Sequence, residues 1–319
     1  MAILGMDVSK LTLDVALRAD DGRHYARQVK NTAAGLQVLQ QWLDKHAVTI
    51  LHVCMEATNV YWEAAAEFCY AQGWDVSVVN PARTKGFAQS QLQRNKTDPV
   101  DARSIAEFCA ALHPRLWHPP SAELRQLRAW IRHRAALQKT RTQQSNRLQT
   151  TQDAVVRASL QTLLNTLAQE IDHITTQIET LVQTHDELRR THDLLTSIPG
   201  IGTPTATLIM AEMYDLAEYE DARAAAADAG VTPSHYQSGT SVKRRPRLSK
   251  VGKATVRAAL YWPAITAMLH NPLVKALTDR LAQRGKSKKV QIGAAMRKLL
   301  HLAYGVLKHQ TPFDPAYSA

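Results

Sequence analysis

Four carboxylates stand where one fold would gather them: Asp7 closing the first strand-like run, Glu56 closing a later one, and Asp98 with Asp101 opening a helix. Aspartates three residues apart project from the same side of a helix. The stretch Thr97-Asp98-Pro99-Val100-Asp101-Ala102-Arg103 reads as a helix start, with Asp98 as N-cap and Pro99 at the first helical position. Like charges crowded together repel by roughly 4 kcal/mol per pair at ~4 Å and an effective dielectric of about 20, so the cluster makes sense only around cations. Oxygen-only ligands select Mg2+, or Mn2+, over zinc. The chemistry expected is that of a two-metal nuclease acting on phosphodiesters.

The elements that must position these groups follow from periodicity. Ile3-Leu4-Gly5-Met6-Asp7-Val8 is a short apolar run, and Leu11, Leu13, Val15 and Leu17 then alternate with Thr12, Asp14 and Ala16 as a half-buried strand. The turn Asp20-Asp21-Gly22-Arg23 returns the chain to a third strand over 24–30, and Asn31-Thr32 caps an amphipathic helix carrying Leu36, Leu39, Trp42 and Leu43. Strand 50–55, helix 61–72 ended by Gly73, strand 76–79 and the helix at Asp98 follow. Three hairpin-linked strands and then α, β, α, β, α is the ribonuclease H order. That fold brings its first strand, fourth strand and last helix to one edge, where the four acids have been placed.

The 319 residues are long for a single core, so two domains with a connector are expected. The formal net charge of +11 is concentrated at one end: residues 229–319 hold 16 Lys and Arg against Asp279 and Asp314, a local charge of +14. A polyanion, nucleic acid before all others, is the expected partner of that segment. A membrane is not expected, since no apolar run approaches the ~20 residues of a span and no signal peptide opens the chain. Cys54, Cys69 and Cys109 are odd in number and sit in apolar segments, which reads as reduced, packed thiols in the cytosol.

From about Ser121 to His192 strand signals vanish. Leu160, Leu164, Leu167, Ile171, Ile174, Ile178 and Leu181 step by alternating four and three residues, the seam of a coiled coil; a buried helix of a monomeric bundle would also carry an apolar stripe, with apolar flanks, and the mainly polar flanks here favour self-association. Arg125, Arg128, Arg132, Arg134, Lys139, Arg141 and Arg147 make the preceding arm basic, either to contact nucleic acid or as a solvated face. Ser197-Ile198-Pro199-Gly200-Ile201-Gly202 resembles a helix-hairpin-helix turn, in which the backbone at Gly200 and Gly202 can hold a phosphate; tight interhelical turns use the same residues. Farther on, the polar stretch from Thr232 to Ser241 precedes Lys243, Arg244, Arg245, Arg247, Lys250 and Lys253. By composition alone it is a surface loop with capping serines beside a cationic strip.

Taken in order, Gly5-Met6-Asp7-Val8-Ser9-Lys10, Met55-Glu56-Ala57-Thr58, Asn95-Lys96-Thr97-Asp98-Pro99-Val100-Asp101-Ala102, Ser197-Ile198-Pro199-Gly200-Ile201-Gly202 and Tyr236-Gln237-Ser238-Gly239 through Leu248-Ser249-Lys250 resemble the DEDD transposases of insertion-sequence family one-ten, over essentially the whole chain. The resemblance implies an α/β plus α protein: a ribonuclease H-like, RuvC-like catalytic domain over 1–118, a helical coiled-coil connector over 119–192 and a mainly helical transposase domain over 193–319. It implies a recombinase that cuts and rejoins target and donor DNA, guided by a structured non-coding bridge RNA, in the bacterial cytoplasm at the nucleoid, as a dimer or tetramer. Carried over by motif, Asp7, Glu56, Asp98 and Asp101 hold the metal and Ser238 is the nucleophile. Family members often have two serines after the following glycine; here Thr240-Ser241 stands there, which makes Ser241 the rival nucleophile. Arg244, Arg245 and Lys250 would hold the phosphate backbone.

Three other readings are weighed against this one. A Holliday-junction-type nuclease using water would employ the same carboxylates and leave the Ser238 loop without a role. An actin-like kinase would need further glycine-rich phosphate loops, and none follows Glu56. A non-catalytic nucleic-acid binder would have no reason to gather four acids in a basic chain.

Overall fold

The alternating residues at the start of the chain form a meander of three strands, β1 (Ala2–Val8), β2 (Thr12–Arg18) and β3 (His24–Lys30), with Gly22 at φ +81 in the second turn. This computed structural model describes residues 1–316 apart from 47, 49–50, 92–97, 235–236, 239–241 and 244–246; at 98–99, 237–238 and 242–243 it describes the backbone. The Thr32 side chain accepts from the Gly35 N–H and caps α1 (Ala33–Lys45), which buries Leu36, Leu39, Trp42 and Leu43. Then come β4 (Leu51–Glu56), α2 (Glu63–Ala71), β5 (Asp75–Val79), α3 (Pro81–Ser90) and α4 (Asp98–Leu112). The sheet is mixed, in the order β3-β2-β1-β4-β5, with β1 antiparallel to β2 and parallel to β4.

One face of the sheet, with Leu4, Met6, Leu13, Val15 and Leu17, packs on α1 and α2; on the other face Ile3, Cys54 and Val79 pack on Ile105, Ala106, Phe108 and Cys109 of α4. The half-buried strand expected at 11–17 is therefore buried on both sides, because α4 covers the face that carries Asp14 and Ala16. Gly5 is where helix and strand touch: a Cβ there would lie 2.1 Å from the Ala102 carbonyl oxygen and 2.4 Å from the Ala106 nitrogen. Any side chain at Gly5 would lift α4 off β1. Helix α3 has no counterpart in the sequence-based order of elements. Asn80 caps it, accepting from the Ala82 N–H, with Pro81 at its first position.

Residues Met1–Pro119 form one compact unit and Pro120–Ala319 a second. The second is mostly helical: α5 (Ala122–Thr150), α6 (Ala154–Thr184), α7 (Asp186–Thr196), α8 (Thr203–Glu212), α9 (Ala222–Asp228), the two-residue strands β6 (Pro233–Ser234), β7 (Gln237–Ser238), β8 (Val242–Lys243) and β9 (Arg247–Leu248), then α10 (Ala254–Ala259), α11 (Tyr261–His270), α12 (Pro272–Gln283) and α13 (Lys288–His309). Helices α5 and α6 fold back on each other as a long hairpin, where Arg157 donates to the Leu148 and Thr151 carbonyls to close the bend. The seam residues Leu160, Leu167, Ile171, Ile178 and Leu181 are buried within this single chain. Leu127 and Ile131 of α5 belong to the same core as Ile178, Leu195, Ile209 and Leu299. Among the described residues no helix is long and apolar enough to cross a membrane.

Candidate functional site

Three of the four sequence-picked carboxylates have described side chains, and strand register places two of them. Met6 of β1 lies opposite Met55 of the parallel β4, so the next step along both strands sets Asp7 beside Glu56. Side chains alternate along a strand, so Asp7 shares its face with Ile3 and Gly5, and Glu56 shares its face with Cys54. That is the α4 face. Ala102 rests on Gly5, which puts Asp101 and, one turn earlier on the same side of the helix, Asp98 at the end of the sheet where Asp7 and Glu56 emerge. Asp7, Glu56 and Asp101 are each half-buried; the Asp98 side chain lies outside the described residues.

Three supporting groups escaped the sequence-based choice of residues. Asp14 lies directly across from Asp7 on β2, on the same face, and is only 5% exposed. Gln28, its neighbour on β3, donates its Nε2–H to both Asp14 oxygens at 3.0 and 3.1 Å. A row Glu56, Asp7, Asp14, Gln28 thus runs across four strands. At its other end the hydroxyl of buried Thr84 on α3 donates to Glu56 Oε1, which fixes that carboxylate. Behind the row, His52 Nδ1 lies 3.5 Å from Cys109 Sγ and His52 Nε2 is 2.8 Å from Ser77 Oγ. Hydrogen bonds from Cys54 and His52 draw the Cys109 thiol below its usual range against the effect of burial. All three cysteines are free and buried.

The donor set is all oxygen and shares one sheet face and one helix turn, which fits a hard divalent cation. Among the described residues no three His, Cys, Asp or Glu side chains converge closely enough to hold a metal ion, and Asp98 is the donor outside that set.

In the second unit, β6 pairs with β9 and β7 with β8, so a short antiparallel ribbon presents Ser238 opposite Val242. The side chains of Ser238 and Lys243, and all of Ser241, Arg244 and Arg245, lie outside the described residues. Arg247 and Lys250 are exposed. Lys253 is committed elsewhere: its Nζ lies 3.1 Å from Asp228, whose Oδ2 also accepts from the Tyr219 hydroxyl. At the 197–202 turn, Gly200 takes φ +106, and a Cβ there would come within 2.7 Å of Ala267 Cβ, so this glycine serves close packing on α11. Gly202 is exposed and caps α8. Two arginines of the basic arm also have internal partners. Arg128 Nε donates to the Ala211 carbonyl, and Arg132 holds both Glu212 oxygens at 2.8 and 3.0 Å. Burial alone would push Glu212 up, and the Arg132 hydrogen bonds bring it below the ordinary carboxylate range.

A family model described as a transposase, of the DEDD IS110 type, matches residues 4–157, and one described as the transposase IS116/IS110/IS902 family matches residues 192–279. A pilin gene-inverting protein of Moraxella bovis is 31% identical over 318 residues, covering 98% of this chain and 97% of its own. The chain belongs to the IS110 family of transposases. A pilin gene-inverting protein of Moraxella lacunata is likewise 31% identical over 318 residues, and the transposase for insertion sequence element IS1111A of Coxiella burnetii is 23% identical over 316 residues, covering 87% of this chain and 80% of its own. As an IS110-family transposase the protein is an enzyme of DNA recombination and transposition. Its DEDD domain points to a divalent cation as cofactor, the same requirement that follows from charge repulsion among the four acids.

Proposed function

We propose that this IS110-family transposase cuts and rejoins target and donor DNA through a serine-linked intermediate, with a structured non-coding bridge RNA choosing the sites. The observation that carries the reading is the placement of Asp7 and Glu56 at adjacent ends of parallel strands, under the helix whose first turn bears Asp98 and Asp101. The order β3-β2-β1-β4-β5 supports reading residues 1–118 as a ribonuclease H-like, RuvC-like domain. The connector over 119–192 and the transposase domain over 193–319 complete the three-part division.

Asp7, Glu56, Asp98 and Asp101 would hold Mg2+ or Mn2+. When bound, such a cation supplies positive charge to the phosphate oxygens around the scissile bond. The remaining chemistry belongs to the chain. Ser238 Oγ attacks phosphorus and gives up its proton to solvent or a nearby base; a P–O bond to the serine forms while the bond to one sugar oxygen breaks, and that oxygen leaves as a hydroxyl. A hydroxyl from another strand then displaces the serine, so the number of phosphodiesters is unchanged. Thr84 holds Glu56 and Gln28 holds Asp14, so the row of acids is oriented before DNA arrives. Arg244, Arg245, Arg247 and Lys250 would grip the phosphate backbone, Gly202 would bring a phosphate up to the start of α8, and the enzyme would act in the cytoplasm at the nucleoid.

RNA copurifying with the protein tests the guided mechanism. A discrete species encoded beside the transposase gene is expected on sequencing, whereas only random cellular RNA would leave the water-using junction nuclease as the better reading.

The working assembly is a homo-oligomer, dimer or tetramer. The hairpin already covers most of the seam, so the contact is assigned to what stands exposed on α6: Val155 at 78%, Val156 at 38% and Leu163 at 42%. Val156 and Leu163, seven residues apart, share one side of the helix. Replacing both with Glu should lower the mass seen by light scattering while helicity is kept; an unchanged mass removes this face from the interface.

A further inference from the structure

A groove of about 650 Å³ opens in the second unit between α10, α11 and the start of α13, with Ala254, Ala258, Gly293 and Met296 among its lining. Its edge carries Trp262, which is 72% exposed, and Tyr261, 43% exposed, packed edge to face with ring centres 5.4 Å apart at 84°. That arrangement leaves a face of the indole to solvent. Among the described residues the indole is left largely uncovered, and with Tyr261 it forms an aromatic pair at the edge of a concave site. Exposed Lys289 and half-buried Arg257 supply cations to the same groove, and Arg257 donates one N–H to the Lys250 carbonyl. Leu248 of β9 forms one wall, and a Cβ on Gly293 would lie 3.6 Å from its Cδ2, so the groove lies against the β6–β9 pair.

We propose that this groove takes unpaired bases of the DNA substrate, one stacked on Trp262 with its flanking phosphates held by Lys289 and Arg257. Three features select that occupant. A concave site of a few hundred Å³ admits one or two nucleobases and is far too small for a duplex. Aromatic faces beside cations on a groove are the recurring means of binding single strands without regard to sequence. Charge opposes the competing occupant, a second copy of the chain: residues 229–319 carry only Asp279 and Asp314 as acids, and Asp279 is already paired with Lys275 at 2.6 Å, so self-docking through this segment would press like charges together. The inference rests on DNA being the substrate and needs neither Ser238 nor a guide RNA.

Binding of the full-length protein to a 2-aminopurine-labelled single-stranded DNA, to the matching duplex and to an RNA of the same sequence tests it without any cleavage. Loss of one stacked base should make Trp262→Ala weaken single-stranded DNA binding by roughly 5- to 150-fold, with Trp262→Phe retaining most of the affinity. Duplex affinity should be unchanged, and the labelled base should lose its quenching in Trp262→Ala. Lys289→Gln should flatten the salt dependence for single-stranded DNA by about 0.7 in log–log slope, the value of one phosphate. The proposal is overturned by equal losses on single strand and duplex, by a loss on RNA alone, or by unchanged single-strand affinity in folded Trp262→Ala. A lower mass by light scattering with unchanged affinity would give the groove to a second copy instead. A failed cleavage assay with these binding results intact would count against the serine chemistry and not against the groove.

Discussion

Asp7→Asn will abolish strand cleavage and leave DNA affinity within about two-fold of the parent, since one charge is removed from an acid cluster while the proposed DNA contacts lie in the cationic segment 229–319. The substitution is isosteric, and Asp7 stands on β1 with Gly5 and Ile3, so the strand and its contact with α4 are retained. What is lost is half of the pair that Asp7 and Glu56 form at adjacent strand ends. Removing one preorganised electrostatic group from a reacting centre typically costs ~10²–10³ in rate, and a metal ligand costs at least that much because the cation itself is weakened. A further readout separates a ligand from a structural residue: a chelator should reproduce the defect in the parent. Cleavage at near the parental rate by Asp7→Asn, or full parental activity in chelator, would remove Asp7 from the metal site.

Much of the first unit was legible because period-two alternation and turn residues report directly on strands. What the alternation could not report was the second face of β2. Thr12, Asp14 and Ala16 look like a solvent-facing set in sequence, and only the packing of α4 over β1 and β2 turns Asp14 into a buried neighbour of Asp7. Its partner Gln28 belongs to a polar strand, where nothing distinguishes it from a solvated residue. Helix α3 was missed for a related reason: its residues carry no apolar stripe and only Thr84 is fully buried, although Asn80-Pro81 is a cap and first-turn signal. In α6 the 4-3 spacing states that a helix covers the seam and is silent about which chain supplies it. Helix α5 does so, and its own facing residues gave no such warning, because Arg134 and Gln144 interrupt the apolar positions Leu127, Ile131, Leu137 and Leu148. Arg134 is accordingly half-buried, and that desolvation lowers its pKa, opposed by Glu179 of α6.

The cationic strip shows where charge counting stops being informative. Sequence gives Lys253 and Arg247 equal weight, yet Lys253 is held against Asp228 at the start of α10 while Arg247 stands free of the core on β9. The same holds for Arg132, whose bidentate grip on Glu212 anchors α5 to α8. Cations with acidic partners serve the fold, and the proposed DNA contacts are assigned to exposed Arg247 and Lys250.

For the nucleophile, Ser238→Ala should remove both the protein–DNA adduct and recombination, with metal binding by the acids retained. Loss of a nucleophile that has no substitute is a collapse on the order of 10⁶ in rate where it has been dissected in other enzymes, larger than any other single change considered for this protein. Ser238 lies on β7 opposite Val242, so its backbone is paired, and alanine at that place preserves the ribbon. Ser241→Ala is the control. If Ser238 attacks phosphorus, the Ser241 variant still forms the adduct, since its hydroxyl then takes no part in the attack. A denaturing gel of labelled DNA reads the result directly: a covalent band in the parent and in Ser241→Ala, and none in Ser238→Ala. A band that survives in Ser238→Ala, or vanishes only in Ser241→Ala, moves the nucleophile to the other serine. A parent that cuts DNA with no band at all hands the attack to water, and the carboxylate row would then serve a nuclease whose products are not rejoined.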